Sequence, residues 1–338
     1  MVTKMNKFFF WFSIIMLAII ILIVAGPRVR YETPRLNEMQ LIAGIASLDS
    51  LVAADESVVK DIKPDNQARI IWANDSFPAQ TEYALVYLHG FSASQEEGAP
   101  IHRDVAKRYG MNLYLSRLED HGRLDSNSFQ NLTPDTYMQS AEKALAIGKI
   151  IGKKVILMSC STGGTLSLAL AAAGNDIHSL IMYSPNIDIA DPASDIVLWP
   201  WGKQVGRWIM NGDYNRIKYD TLAQKYWNPV YHTNGIFVVK SLIKEYMKED
   251  VFQKVQIPVF LGCYYKDEEH QDRVVSVPRM YECFDQLGTP DEQKQLARFP
   301  LAENHVISSH VMSKDIEGVR QATFQFVEQV LRILPIVQ

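Results

Sequence analysis

The sequence predicts an α/β protein: a mostly parallel central sheet with helices on both faces, preceded by one transmembrane helix. Three observations carry that prediction. Short apolar runs alternate with longer stretches of helical period along most of the chain, the pattern left by right-handed βαβ crossovers. The 338 residues are 47% hydrophobic and 21% charged, with 18 Gly, 15 Pro and 3 Cys. That composition is globular and excludes collagen-like, disordered and disulfide-scaffold chains. The apolar residues are also unevenly spread, because residues 8–26 hold no charge and Ser13 is their one polar side chain.

Residues 8–26 would form a helix about 28 Å long at ~1.5 Å per residue, close to the ~30 Å hydrocarbon core. Lys4 and Lys7 precede it, and Arg28 and Arg30 follow. A cleaved signal peptide carries a shorter apolar stretch of ~7–15 residues. Val24-Ala25-Gly26 is a small-residue sequence, but Pro27 directly after it is a poor cleavage context. The segment therefore reads as an uncleaved anchor behind a short tail, residues 1–7. Lys4, Lys7 and the α-amino group favour an N-terminus in the cytoplasm against the pull of Arg28, Arg30 and Arg35, which puts the globular part outside it. The formal net charge is −4; residues 1–30 hold four Lys/Arg and no acid, so the rest carries an excess of eight acids. Such a chain has no basic surplus for nucleic acid. Its expected membrane contact is residues 8–26, not a basic patch.

Residues 27–80 read as a tether running into the first strands, with a helix over 36–52 and a strand at 69–72. Residues 84–88, 111–115, 155–158, 180–183, 259–261 and 296–299 are further strands. Thr133 as N-cap and Pro134 at the first helical position open a helix that Gly152 closes. The last helix sets Ile316, Val319, Thr323, Phe326, Val327, Val330, Leu331 and Leu334 on one face, so it packs on the sheet. One stretch breaks the alternation. Residues 186–257 show no clear strand and hold Trp199, Trp201, Trp208 and Trp227. A crossover helix needs far less chain. The stretch reads as a helical lid insertion, about 187–256, whose aromatics shape an apolar pocket; a helical subdomain with an aromatic core is the other reading.

The most informative local sequence is VILMSCSTGG, residues 155–164. A strand meets a helix at Ser161, with small residues Ser159 and Gly163 on either side to admit a sharp turn. The hydroxyl is then presented at a strand's carboxyl end beside a helix N-terminus, whose dipole favours negative charge. This resembles the nucleophile elbow of the α/β-hydrolase superfamily, usually written G-x-S-x-G, with Ser159 in place of the first glycine. A plain strand-to-helix turn with Ser161 as N-cap is the alternative reading.

The resemblance implies an α/β-hydrolase fold over residues 81–338, with Ser161 as nucleophile. It also implies an oxyanion site made of two backbone amides. These map to Phe91, in the His89-Gly90-Phe91 loop after the strand at 84–88, and to Thr162. The general base should follow the last strand, where His305 stands; His310 is its competitor and belongs to the run into the final helix. The acid should follow the preceding strand. Asp272, before Val274-Val275, is the first choice, and Asp267, nearer the strand end, is the alternative. Glu268 and Glu269 read as solvated loop charges. The order Ser161, Asp272, His305 is that of the superfamily, and the pattern is similar to its esterase/lipase, monoglyceride-lipase-like branch.

The activity so implied is a membrane-anchored serine hydrolase acting on carboxylic esters, with apolar or lipid-type acyl groups suggested by the anchor and the aromatic insertion. Thioesters, peptides and amides use the same machinery. A non-catalytic binding protein on this fold is a further alternative, to which only Ser159 points. Cys160, Cys263 and Cys283 form neither a disulfide framework nor a metal pattern, and His102, His178, His232 and His270 lack ligand spacing. No metal and no cofactor is expected. Asp120-His121-Gly122 reads as a structural turn, and nothing in the sequence assigns an oligomeric state.

Overall fold

The computed structural model describes residues 2–36 and 38–336. Helix α1 (Val2–Val24) takes in Lys4 and Lys7 and stops short of Gly26; none of residues 7–24 is buried. Residues 27–44 contain no helix or strand among the described residues, yet they are docked. Tyr31 Oη donates to Asn234 Oδ1 at 2.7 Å, and Tyr246 Oη donates to the Pro34 carbonyl at 3.1 Å. Tyr31, Leu36, Leu41 and Ala43 pack on the core. Because these side chains are used in tertiary contacts, the expected helix over 36–52 starts later, as α2 (Ile45–Ser57), with Leu48 and Val52 buried.

The first five strands are β1 (Arg69–Ile71), β2 (Thr81–Leu88), β3 (Asn112–Leu115), β4 (Gly152–Cys160) and β5 (Ser179–Tyr183). Two short strands follow, β6 (Tyr214–Arg216) and β7 (Val230–His232), then β8 (Val259–Cys263) and β9 (Lys294–Arg298). Seven of them form one sheet in the order β1-β3-β2-β4-β5-β8-β9. Only β1 is antiparallel to its neighbour.

Period two sorts the sheet's side chains onto two cores. Ala84, Val86, Leu88, Leu157, Leu180 and Leu261 face one, which α2 covers together with α4 (Pro134–Ile151), α5 (Thr162–Ala172), α7 (Asn234–Tyr246) and α9 (Val277–Gln286). Leu85, Tyr87, Ile156, Met158, Ile181 and Phe260 face the other, under α3 (Ile101–Tyr109) and α10 (Ile316–Gln329). Strands buried on both faces are continuous apolar runs, which is why they stand out in the sequence. Helix α4 starts at the Thr133 cap, whose hydroxyl accepts from the Thr136 amide, and ends at Gly152. In α10 Val319, Thr323, Phe326 and Val327 are buried. Leu334, expected on the same face, lies beyond the helix end and is 78% exposed.

Between β5 and β8 the chain forms a 3-10 turn (Pro192–Leu198), α6 (Gly202–Ile209), the β6–β7 pair, α7 and the short α8 (Glu249–Phe252). The expectation of no strand here fails at β6–β7, an antiparallel pair of three-residue strands too short to leave a period in the sequence.

Candidate active site

Strand β4 ends at Cys160, and α5 begins at Thr162. Ser161 between them has φ 52° and ψ −122°, a positive-φ conformation that costs a non-glycine residue of order 1–3 kcal/mol. The turn is held from both sides: the Ser161 amide donates to the Tyr183 carbonyl at 3.0 Å, and the Ser161 carbonyl accepts from Gly164 and Asn186 at 2.8 and 2.9 Å. A Cβ at Gly163 would lie 2.0 Å from the Leu88 carbonyl oxygen, so a side chain there would push the elbow off β2. The −2 position tolerates serine at a cost, because Ser159 Oγ is fully buried with no hydrogen-bond partner among the described residues.

His305 follows β9 and Asp272 follows β8. Their side chains meet, His305 Nδ1 standing 2.6 Å from Asp272 Oδ2. The carboxylate is 0% exposed and the imidazole 11%. Asp272 Oδ1 accepts from the Val274 and Val275 amides at 2.8 and 3.1 Å. Burial opposes the Asp272 charge, but the His305 charge and these hydrogen bonds outweigh it and hold the carboxyl below its ordinary value. For His305 burial likewise opposes the cation, while the Asp272 charge and hydrogen bond, with Glu97 behind them, raise the imidazole above its ordinary 6.5. An ionised Asp272 can only accept, so Nδ1 carries the proton and Nε2 is left as a base.

Asp267 is elsewhere. Half exposed, it accepts from His270 Nδ1 and from the amides of Glu269 and His270. His310 is half exposed, with Nδ1 3.1 Å from the Ala99 carbonyl. Cys160, Cys263 and Cys283 are free and buried.

Behind the elbow runs the loop after β2. The Leu118 amide donates to His89 Nε2 at 3.0 Å, so His89 Nδ1 carries the proton and donates to the Gly90 carbonyl at 2.9 Å. Burial depresses this imidazole to about 4, which keeps it a neutral strut. A Cβ at Gly90 would lie 2.7 Å from Glu97 Oε1 and 2.9 Å from Ser161 Cβ. Phe91 is wedged among Phe129, Tyr231 and His121, and the first residue of α5, Thr162, has an amide with no acceptor inside its helix.

Sequence reading missed Glu97. Its side chain is buried, accepting from the Gly90 amide at 2.6 Å and from Tyr87 Oη at 3.2 Å, and burial pushes its carboxyl up to about 7. Followed by glycine and preceded by Gln95-Glu96, it looks like a surface acid; nothing local marks it. Ser161, Thr162, Phe91, Glu97 and His305 line one cavity of about 620 Å³, which Asn186, Tyr219, Trp227, Tyr231, Ile236 and Val239 also line. Of the four tryptophans between β5 and β8, Trp227 lines it and Trp199, Trp201 and Trp208 do not. Among the described residues no cluster of His, Cys, Asp and Glu is arranged to hold a metal ion.

No family model and no curated protein matches the sequence. The architecture does have solved counterparts. A metagenome-derived lipolytic enzyme superposes with TM-score 0.63 at 14% identity, over 79% of this chain and 99% of that one. A putative non-heme bromoperoxidase from Mycobacterium tuberculosis gives 0.56 at 11%, over 80% and 98%. A soluble variant of monoglyceride lipase from Saccharomyces cerevisiae, in complex with a substrate analogue, gives 0.55 at 13%, over 78% and 91%. Such identities speak to architecture alone. With this strand order, these crossovers and these neighbours, the chain has the α/β-hydrolase fold.

Proposed function

We propose that the protein is a membrane-anchored serine hydrolase that cleaves carboxylic esters of apolar acyl groups. The observation that supports this most directly is one cavity lined by both a serine on a positive-φ turn at a helix N-terminus and a histidine backed by a buried carboxylate. Ser161 Oγ attacks the ester carbonyl carbon while His305 Nε2 takes its proton. Charge then develops on the carbonyl oxygen, and the Phe91 and Thr162 amides receive it. The tetrahedral species collapses, the C–O bond to the alcohol breaks, and the alcohol leaves with the proton from His305. Water repeats the sequence on the acyl-enzyme, returning Ser161 and releasing the acid. Asp272 holds the imidazole tautomer throughout and stabilises its cation.

In this reading residues 81–338 are the hydrolase domain and 187–256 its lid, with Ile189, Ile217, Ile236 and Val239 offering the acyl chain an apolar wall. Helix α1 is the anchor, oriented with its N-terminus in the cytoplasm. Thioesters and amides would meet the same groups. The test is covalent labelling of the full chain in detergent with a fluorophosphonate, followed by turnover of a p-nitrophenyl ester series of increasing acyl length. Label on Ser161, and turnover lost in Ser161→Ala, are expected. A folded chain that takes no label at Ser161 overturns the reading.

A further inference from the structure

Outside α1 most exposed large apolar side chains stand singly, but three of them share one short segment that touches the end of that helix. Trp199 is 60% exposed, Trp208 82% and Ile209 63%, on either side of Trp201. Trp201 itself is tied to the anchor by two hydrogen bonds: its Nε1–H donates to the Leu22 carbonyl at 3.0 Å, and its amide donates to the Pro27 carbonyl at 2.7 Å. The Leu22 carbonyl belongs to the last turn of α1, where carbonyls have no partner within the helix. An indole that caps the final turn of a membrane-spanning helix stands at the depth where tryptophan is favoured, the boundary between hydrocarbon and headgroups. From Gly202 to Ile209 helix α6 advances only about 10 Å at ~1.5 Å per residue, so Trp208 and Ile209 lie within about that distance of the Trp201 end.

The charge agrees. The globular part has an excess of eight acids, but residues 196–212 hold Lys203 and Arg207 and no acid. Arg207 is paired with the flanking Asp213 at 2.7 Å, which leaves that pair neutral and, among the described residues, Lys203 as the free cation of α6. Lys203 is exposed, and Arg28 and Lys244 line a cleft of about 520 Å³ together with Trp199 and Pro200; the acids of that cleft, Asp188 and Asp195, are both paired with Lys240. Meanwhile Gly202 and Gly206 turn inward, Gly206 facing the Phe237 ring. A short helix with one face packed, and with tryptophan, isoleucine and a lysine on its free side, has the chemistry of an interfacial element lying in the plane of a bilayer.

We infer that residues 199–209 are a second membrane contact: Trp199, Trp208 and Ile209 enter the interface of a lipid bilayer, and Lys203 and Arg28 meet its anionic headgroups. The inference rests on the reading of α1 as an anchor, and the experiment separates the two. The native cysteines are all buried, so one introduced cysteine can be labelled with an environment-sensitive NBD fluorophore. The full chain is reconstituted in phosphatidylcholine vesicles containing phosphatidylglycerol, with nitroxides placed shallow or deep on the acyl chains. Labels at Trp208→Cys and at Ile209→Cys are expected to shift to the blue and to be quenched more by the shallow nitroxide. A label at Asp291→Cys, whose native side chain is 94% exposed, should stay in water, and one at Ser13→Cys should be quenched by the deep nitroxide. If 13 is quenched while 208 and 209 behave like 291, the second contact is overturned and the anchor stands. If 13 also stays in water, the anchor reading falls and this inference with it. A blue shift at 208 without lipid quenching would mean that a second copy of the chain covers the patch, which overturns the lipid occupant.

Discussion

The cavity has two unlike walls. One is made of strand ends and the loops after them. Ser161, Glu97 and His305 face the cavity, and Asp272 stands behind His305 with both oxygens partnered. Glu97 Oε2 accepts from the Gly90 amide, and Gly90 and Gly163 leave no room for a Cβ. The other comes from the insertion between β5 and β8 and presents Ile217, Tyr219, Trp227, Tyr231, Ile236 and Val239, with no charge among them. A fixed polar wall suits chemistry, which needs donors and bases at set positions. The uncharged wall has only shape and area to offer, and those discriminate between substrates by modest factors.

That contrast breaks if a change in one wall behaves like a change in the other. The largest effect should come from Asp272→Asn, which removes the tautomer control on His305: kcat is expected to fall about 10^4-fold on short and long esters alike, whereas Asp267→Asn stays within about twofold. A loss confined to long esters, or a larger loss at Asp267, would refute the division. The same pair sets a pH dependence. His305 must be neutral to act, and its folded pKa is raised above 6.5. Activity should therefore be full above that raised value and lost as pH falls through it, with the acid limb of kcat/KM above pH 6.5.

Next comes the buried acid. Glu97 has its folded pKa at about 7 against an ordinary 4.5, so the folded chain keeps a proton that the unfolded chain has released between those values. Wild-type stability should decline as pH rises through that window, by of order 3 kcal/mol at ~1.36 kcal/mol per unit. Glu97→Gln keeps an acceptor for the Gly90 amide and has no proton to lose. Denaturant melts of the two chains should diverge between the ordinary 4.5 and about 7 and run parallel above it; curves parallel across that window as well would show that Glu97 does not titrate in this way.

A smaller effect is expected on the apolar wall. Ile217→Ala combined with Ile236→Ala should lower kcat/KM for an octanoyl ester about 10–100-fold, the worth of a few methylene contacts at ~1–3 kcal/mol, and leave the acetyl ester nearly unchanged. Equal losses on both would mean that this wall also positions the reacting carbonyl. Smallest is Ser159→Ala, which removes a buried hydroxyl without a partner and should raise stability by about 1 kcal/mol, read from the urea midpoint.

How far the sequence could be read follows from where information is local. Strands β2, β4, β5 and β8 are apolar runs buried on both faces, and α4 carries its own cap at Thr133, so each declares itself within about ten residues. Ser161 is recognisable for the same reason: the small residues that permit its turn are its neighbours in the chain. Asp272 and Asp267 differ instead by what lies around them in space. The amides of Val274 and Val275 and the ring of His305 gather on one, and His270 on the other. Glu97 was invisible because its partners, Tyr87 and Gly90, reach it across a folded loop. The strands β6 and β7 were missed because three residues each are too few to show alternation. The aromatic insertion was read as one object, but of its tryptophans only Trp227 turns to the cavity while Trp201 turns to α1.

The segment after α1 is not a loose string. Tyr31 on Asn234, Pro34 under Tyr246, Glu38 on Lys149 and Trp201 against Leu22 and Pro27 fasten it at four places along its length. A domain on a slack leash tumbles and points its opening in every direction. This one shares the tilt of its helix, so in the proposed anchored state its mouth would stay at one height and angle to the bilayer, leaving rotation about the membrane normal as the freedom that remains.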